Sequence, residues 1–294
     1  MDVIQTQSLN RMYGARVGIE GVNLSVPEGT LFGFLGPNGA GKTTTIRLLL
    51  GFIRPDRGQA TTFGYDCWRD SKRIKHEVGY LPGDLRLYSW MTGLEALRIF
   101  GQVRRRELLR EGGGLAEQFE LDLSVKVRAM SRGMRQKLGL ILAMAHRPKL
   151  LILDEPSASL DPLVQKQLQR CLREWVRAGH TVFFSSHSLS EVEEVCDSVA
   201  ILRDGRLMAQ KTMAELRSQS RRDVMIRWGQ GKEMPAEAPP FITVRTREAT
   251  IWRGELSGSA TDLVRWAASQ PIEDITIAPP DLDAIFRRYY EGER

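Results

Sequence analysis

The chain has 294 residues, 42% of them hydrophobic, enough core for one large domain or two smaller ones. An excess of Lys and Arg over Asp and Glu, 42 against 36, leaves a net charge of +6. That charge suits an anionic partner (nucleotide, lipid surface or nucleic acid) and equally describes an ordinary surface. No run of about 18 apolar residues occurs and the start, MDVIQTQSLN, lacks a secretory signal, so a cytoplasmic chain with no membrane-spanning helix is expected.

Residues 2–28 read as β-hairpin material, with Val22, Leu24 and Val26 alternating before Pro27-Glu28-Gly29. Tyr13, just ahead of a turn at Gly14, reads either as packing or as a platform for a purine. Leu31 to Leu35 is an apolar run of strand type, and Ile46 to Leu50 is helical. Between them Gly36-Pro37-Asn38-Gly39-Ala40-Gly41-Lys42-Thr43 fits G-x-x-x-x-G-K-[ST] at every fixed position, with Thr44 following. Glycines let such a loop turn its N–H groups onto a phosphate, and the helix N-terminus adds unpaired amides and a partial positive charge. Lys42 brings a point charge to the β- and γ-phosphates, and the Thr43 hydroxyl suits Mg²⁺.

Further along, 58–66 and 76–81 read as short strands around a helix near 68–75. Thr92 to about Arg128 is helical in pattern, with a break expected at Gly112-Gly113-Gly114 and resumption from Leu115 to Phe119. Residues 133–145 form an amphipathic helix with Ser131 as its expected N-cap. Lys149 to Leu153 is a buried strand, 162–178 a helix, Thr181 to Phe184 another buried strand, and 197–210 a hairpin through Asp204-Gly205. Continuous apolar strands alternating with helices predict a parallel sheet covered on both faces. Past about Ser218 the character changes. Gly229 to Pro240 reads as loop, 241–247, 249–255 and 272–277 as strands, and 260–269 and Asp281 to Tyr290 as helices. Trp228, Trp252 and Trp266 are the expected core of this small α+β segment. Cys67, Cys171 and Cys196 have no metal-like spacing and are expected to stay reduced.

The strand at 150–153 delivers Asp154 and Glu155 at its carboxyl end, where ligands sit in open α/β sheets. Alone, such a pair reads as readily as a helix cap. Behind a phosphate loop the first carboxylate suits Mg²⁺ and the second suits orienting a water at the γ-phosphate. His187 follows the next strand, where a neutral imidazole suits the γ-phosphate or the attacking water. Ser131 and Gly133 open a helix and make a second anion site, for which one chain has no second phosphate. Two chains facing each other would each cover the other's nucleotide.

These motifs, in this order over residues 2–217, resemble the nucleotide-binding subunit of ATP-binding cassette (ABC) transporters. By that resemblance Gly36–Thr43 is the Walker A loop and Leu150–Glu155 the Walker B strand with its catalytic glutamate. Ser131 and Gly133 lie in the signature motif, Ser159-Leu160-Asp161 in the D-loop, His187 at the switch and Tyr13 at the adenine-stacking position. The resemblance implies a P-loop NTPase α/β cassette over 1–219, with a mostly parallel core sheet, an antiparallel β subdomain and a helical subdomain at about 84–146. Residues 220–294 are then a small α+β accessory domain. It also implies ATP and Mg²⁺ as ligands, a second copy of the chain closing an ATP sandwich, and an integral membrane permease on another polypeptide. No nucleic acid is expected, and the subunit would lie on the inner face of the membrane. The C-terminal Pro280–Phe286 is similar to that of drug-efflux and ABC-2-type exporter ATPases. A soluble cassette ATPase acting on ribosomes or DNA is the alternative. Departures are Gly83, where the family has a glutamine, Arg132 and Met134 in the signature, and Ser159 where a glycine is usual. Asp84 or a water is left to replace the glutamine. Arg132 either faces the partner's nucleotide or points to solvent.

Overall fold

A computed structural model describes residues 1–219, 222–232 and 234–279, together with Leu282, Ile285, Phe286 and Tyr289. The chain divides into two compact units, Met1–Lys211 and Thr212–Arg294. The sequence placed the change of character later, after residue 219; the helix Met213–Gln219 groups with the second unit.

The first unit begins with β1 (Asp2–Tyr13), β2 (Arg16–Val22) and β3 (Ser25–Pro27). Next come β4 (Leu31–Leu35), α1 (Lys42–Leu49), β5 (Arg57–Thr62), β6 (Tyr65–Asp66), α2 (Ser71–Glu77) and β7 (Val78–Leu81). Three helices follow: α3 (Gly93–Arg104), α4 (Leu109–Gln118) and α5 (Arg132–Met144). The unit closes with β8 (Leu150–Asp154), α6 (Pro162–Arg177), β9 (Thr181–Ser186), α7 (Leu189–Val195), β10 (Ser198–Arg203) and β11 (Arg206–Thr212).

Six strands form one sheet in the order β11-β10-β4-β9-β8-β7, and the pairs from β10 to β7 run parallel. Every residue of β4, β8 and β9 is buried, as strands covered on both faces require. Phe32 and Phe34 of β4 meet Phe183 of β9 with ring centroids 5.9 and 5.1 Å apart. A second, antiparallel sheet runs β2-β1-β5-β6, with β3 also on β1. The expected cassette architecture is present.

One expectation about local structure needs correction. Gly112-Gly113-Gly114 do not interrupt a helix; they lie inside α4, and the break falls instead between Arg104 and Leu109. The reason is packing. A Cβ on Gly112 would stand 2.5 Å from Leu97 Cδ2, so the glycine lets α4 lie close to α3. The short helix α7 was not foreseen.

In the second unit, α8 (Met213–Gln219) precedes β12 (Arg222–Trp228), β13 (Ile242–Arg247), β14 (Ile251–Leu256), α9 (Ala260–Ala267) and β15 (Ile272–Ile277). The sheet order is β13-β14-β12-β15, all antiparallel, so the unforeseen β12 is an interior strand. Trp228, Trp252 and Trp266 pack together with centroids 5.1 to 6.4 Å apart, the first two fully buried. The helix expected from Asp281 to Tyr290 lies outside the described residues apart from the four named, of which Leu282 and Phe286 are buried.

Candidate functional site

β4 ends at Leu35 and the chain turns through Gly36–Gly41 into α1. Three glycines are obligatory here. A Cβ on Gly36 would meet Leu202 O at 2.5 Å, one on Gly41 would meet Gly18 O at 2.6 Å, and Gly39 and Gly41 have φ of +84° and +105°. No side chain caps α1 and no acidic residue lies in its first turn, so its leading amides stay available to an anion. Above the loop is a cavity of about 320 Å³. Of the residues singled out from sequence, Tyr13, Pro37, Asn38, Gly39, Gly41, Lys42, Thr43, Thr44, Asp154 and Glu155 line it. Gly36 and Ala40 are buried in the loop beneath.

The parallel register brings β8 and β9 level, with Asp154 opposite Ser185. Asp154 is buried and doubly held: the Thr43 hydroxyl donates to Oδ2 at 2.8 Å and the Ser185 hydroxyl to Oδ1 at 2.6 Å. Glu155 follows in the left-handed region at φ +53°, a costly conformation for a residue with a side chain, and its N–H is held by Ser185 O at 3.2 Å. That turn aims its carboxylate into the cavity. Oε1 lies 3.1 Å from Lys42 Nζ, and Oε2 shares a 2.7 Å hydrogen bond with His187 Nδ1. Lys42 Nζ also donates to Gly36 O at 2.5 Å and Pro37 O at 3.3 Å. Lysine, glutamate and histidine thus form one chain of contacts beside the glycine loop.

The donors fit Mg²⁺. Thr43 and Asp154 offer one hydroxyl and one carboxylate, hard oxygens that suit an ion keeping most of its waters and its bonds to phosphate. Among the described residues no cluster of three His, Cys, Asp or Glu could hold a metal by itself, and a Mg²⁺–phosphate site needs none. Gly83 sits beside this pair: a Cβ there would stand 3.5 Å from Asp154 Oδ2. Asp84 does not take over. Its carboxylate is turned to Arg86 at 2.8 Å on the surface.

Ser131 and Gly133 do not line the cavity. Ser131 caps α5, accepting from Met134 N at 3.1 Å, as foreseen. A Cβ on Gly133 would stand 3.1 Å from Ser159 O, so the helix start and the Ser159 turn are pressed together. Ser159 has φ +78°, a conformation glycine adopts without strain. Sequence reasoning missed Ser185, Arg16 and Arg47; the last two line the cavity. The turn at Gly14, which places Arg16 across from Tyr13, was the one available signal for Arg16.

Strand, glycine loop and helix, with two carboxylates at the end of a parallel strand, define a P-loop nucleoside triphosphatase, built here as an ATP-binding cassette. Comparison with known proteins agrees. The family described as ABC transporter matches residues 19–158. The bacitracin transport ATP-binding protein BcrA of Bacillus licheniformis is 35% identical over 226 residues, 75% of this chain and 73% of that protein. The daunorubicin resistance ATP-binding protein DrrA3 of Streptomyces coeruleorubidus is 32% identical over 302 residues, 96% of this chain and 94% of that one. A solved structure of the ATP binding subunit of an ABC transporter is 32% identical with a TM-score of 0.69, covering 74% of this chain and 92% of its own. The chain belongs to the ABC transporter family.

Proposed function

We propose that this protein is the ATP-hydrolysing subunit of a bacterial ABC exporter, working as a closed pair of copies on the inner face of the membrane under a permease carried by another chain. The observation that carries the reading is the Lys42–Glu155–His187 chain of contacts beside the loop. A triphosphate seated on the loop amides competes with Glu155 for Lys42. Losing that contact frees the glutamate carboxylate to hold a water in line with the γ-phosphate. His187, bonded to the other carboxylate oxygen, keeps Glu155 facing that water and offers its remaining ring nitrogen to the γ-phosphate. Thr43 and Asp154 would hold Mg²⁺, which supplies charge neutralisation at the β- and γ-phosphates. Tyr13, on the outer wall of the cavity, stacks on the adenine.

Ser131 and Gly133 lie away from the cavity of their own chain, which supports their serving the nucleotide of a second copy. Export is supported by the relatives: BcrA is named for bacitracin transport and DrrA3 for daunorubicin resistance. Among the described residues no helix is long and apolar enough to cross a membrane, which is compatible with a permease carried by another chain.

Glu155→Gln tests the reading. The amide keeps the shape but cannot take a proton from water, so turnover should fall by about 10²- to 10⁴-fold. ATP binding should persist, and the variant should elute as a dimer when ATP is present. A Glu155→Gln protein that releases phosphate at the ordinary rate, or stays monomeric with ATP, would sink the mechanism. Co-purification with ribosomes or DNA in place of a membrane protein would sink the exporter assignment.

A further inference from the structure

The hairpin of β1 and β2 turns through Gly14-Ala15, and Tyr13 and Arg16 are directly opposed partners across it. Opposed residues of an antiparallel pair project to the same side, so the arginine accompanies the aromatic ring on the cavity wall. Arg16 Nη2 reaches the glycine loop: it lies 3.6 Å from where a Cβ on Gly39 would stand, and no other group comes within 4 Å of that point. Two neighbouring cations are engaged, while Arg47 of α1 also lines the cavity with an exposed side chain. Arg11 pairs with Asp56 at 2.8 Å, and Lys42 with Glu155 at 3.1 Å. Among the described residues the Arg16 side chain has no hydrogen bond or ion pair.

We propose that Arg16 is a phosphate-binding residue of the nucleotide site, contacting the α- or β-phosphate from the side opposite Lys42. This rests on the reading of the cavity as an ATP site. The position along the nucleotide follows from the order of groups. Tyr13 marks the base end, and Lys42, Thr43, Asp154 and Glu155 gather at the γ end. Arg16 stands at Gly39, beside Tyr13 and three residues before Lys42. A guanidinium there meets phosphates common to ATP and ADP. It therefore sets how tightly both are held, without distinguishing substrate from product. A planar fork of N–H donors suits phosphate oxygens better than a lone ammonium does.

The experiment is a titration of the full chain with fluorescent ATP and ADP analogues, comparing the unaltered protein with Arg16→Gln and Lys42→Ala. Arg16→Gln should weaken ATP and ADP alike, by about tenfold each, the loss of one charged phosphate contact. Its ADP affinity should also fall less steeply with added salt than that of the unaltered protein, because one screened ion pair is gone. An Arg16→Gln protein that binds ADP as tightly as the unaltered chain overturns the inference. So does a loss of affinity with an unchanged salt slope, which would mean disturbed packing of the hairpin. Lys42→Ala separates the two levels. If it loses ATP while Arg16→Gln does not, the ATP site stands and the Arg16 contact falls; if neither loses affinity, both fall.

Discussion

Asp154 owes its direction to two hydroxyls, and only one of them belongs to a motif. Thr43 follows the loop lysine and was legible at once. Ser185 is an unremarkable serine at the end of an apolar strand, and it became part of the site only because the parallel register sets it opposite Asp154. Its hydroxyl holds Asp154 Oδ1 at 2.6 Å and its carbonyl receives the Glu155 N–H at 3.2 Å. Removing that hydroxyl leaves the carboxylate held by Thr43 alone. Ser185→Ala should therefore lower phosphate release by about 10-fold and raise the Mg²⁺ concentration giving half-maximal rate, effects typical of a group that orients a metal ligand. A Mg²⁺ titration of ATPase activity checks this, and an unchanged half-maximal concentration would refute it. Arg16 was hidden for a similar reason: an arginine after a turn has no signature until the hairpin is seen to lie over Gly39.

Among the elements, α4 is the one that local rules misjudged. Three consecutive glycines predict a break, since each costs roughly 1 kcal/mol in a helix relative to Ala. The helix forms regardless because Gly112 faces Leu97 of α3 at a distance no Cβ could share, while Gly113 and Gly114 have nothing within 4 Å of a Cβ. The three positions should thus respond in opposite directions. Gly112→Val should destabilise by about 2 kcal/mol through overpacking. Gly113→Ala should stabilise by about 0.5–1 kcal/mol by restricting the unfolded chain and favouring the helix. Urea unfolding of both variants decides the matter, and equal shifts of the same sign would show that α3–α4 packing is not what the glycine serves. The strand β12 was overlooked for a different reason. Its alternation is short and blurred: Val224, Ile226 and Trp228 are buried, but of the two residues between them Met225 is apolar and only Arg227 marks the opposite face.

The stability of the whole molecule should carry the mark of one histidine. His146 is buried, and burial, reinforced by the nearby Arg104 guanidinium, pushes its pKa down to about 3 from 6.5. The fold therefore holds the neutral ring, while the unfolded chain takes up a proton below about pH 6.5. The contribution is complete above that pH and is lost progressively as pH falls toward 3. Between pH 6.5 and 4 the loss should be on the order of 3 kcal/mol. His146→Leu should flatten that part of the profile when unfolding is followed in urea across the range. A variant with the same slope as the unaltered protein would show that the acid sensitivity arises elsewhere.

The amino-acid sequence by itself determined the phosphate loop, the two carboxylates behind it, His187 and the alternation of apolar strands with helices that makes a parallel sheet. Each of these is a local pattern whose chemistry is carried by residues adjacent in the chain. It also foretold the tryptophan core of the second unit, because large apolar side chains leave few alternatives to burial. Tertiary structure alone decided that Ser185 steadies Asp154, that Arg16 reaches Gly39, that Lys42 and His187 meet on the two oxygens of Glu155, and that a triple glycine belongs inside a helix. Those facts depend on strand register and on how closely two helices approach, and both are set by packing between segments far apart in the chain.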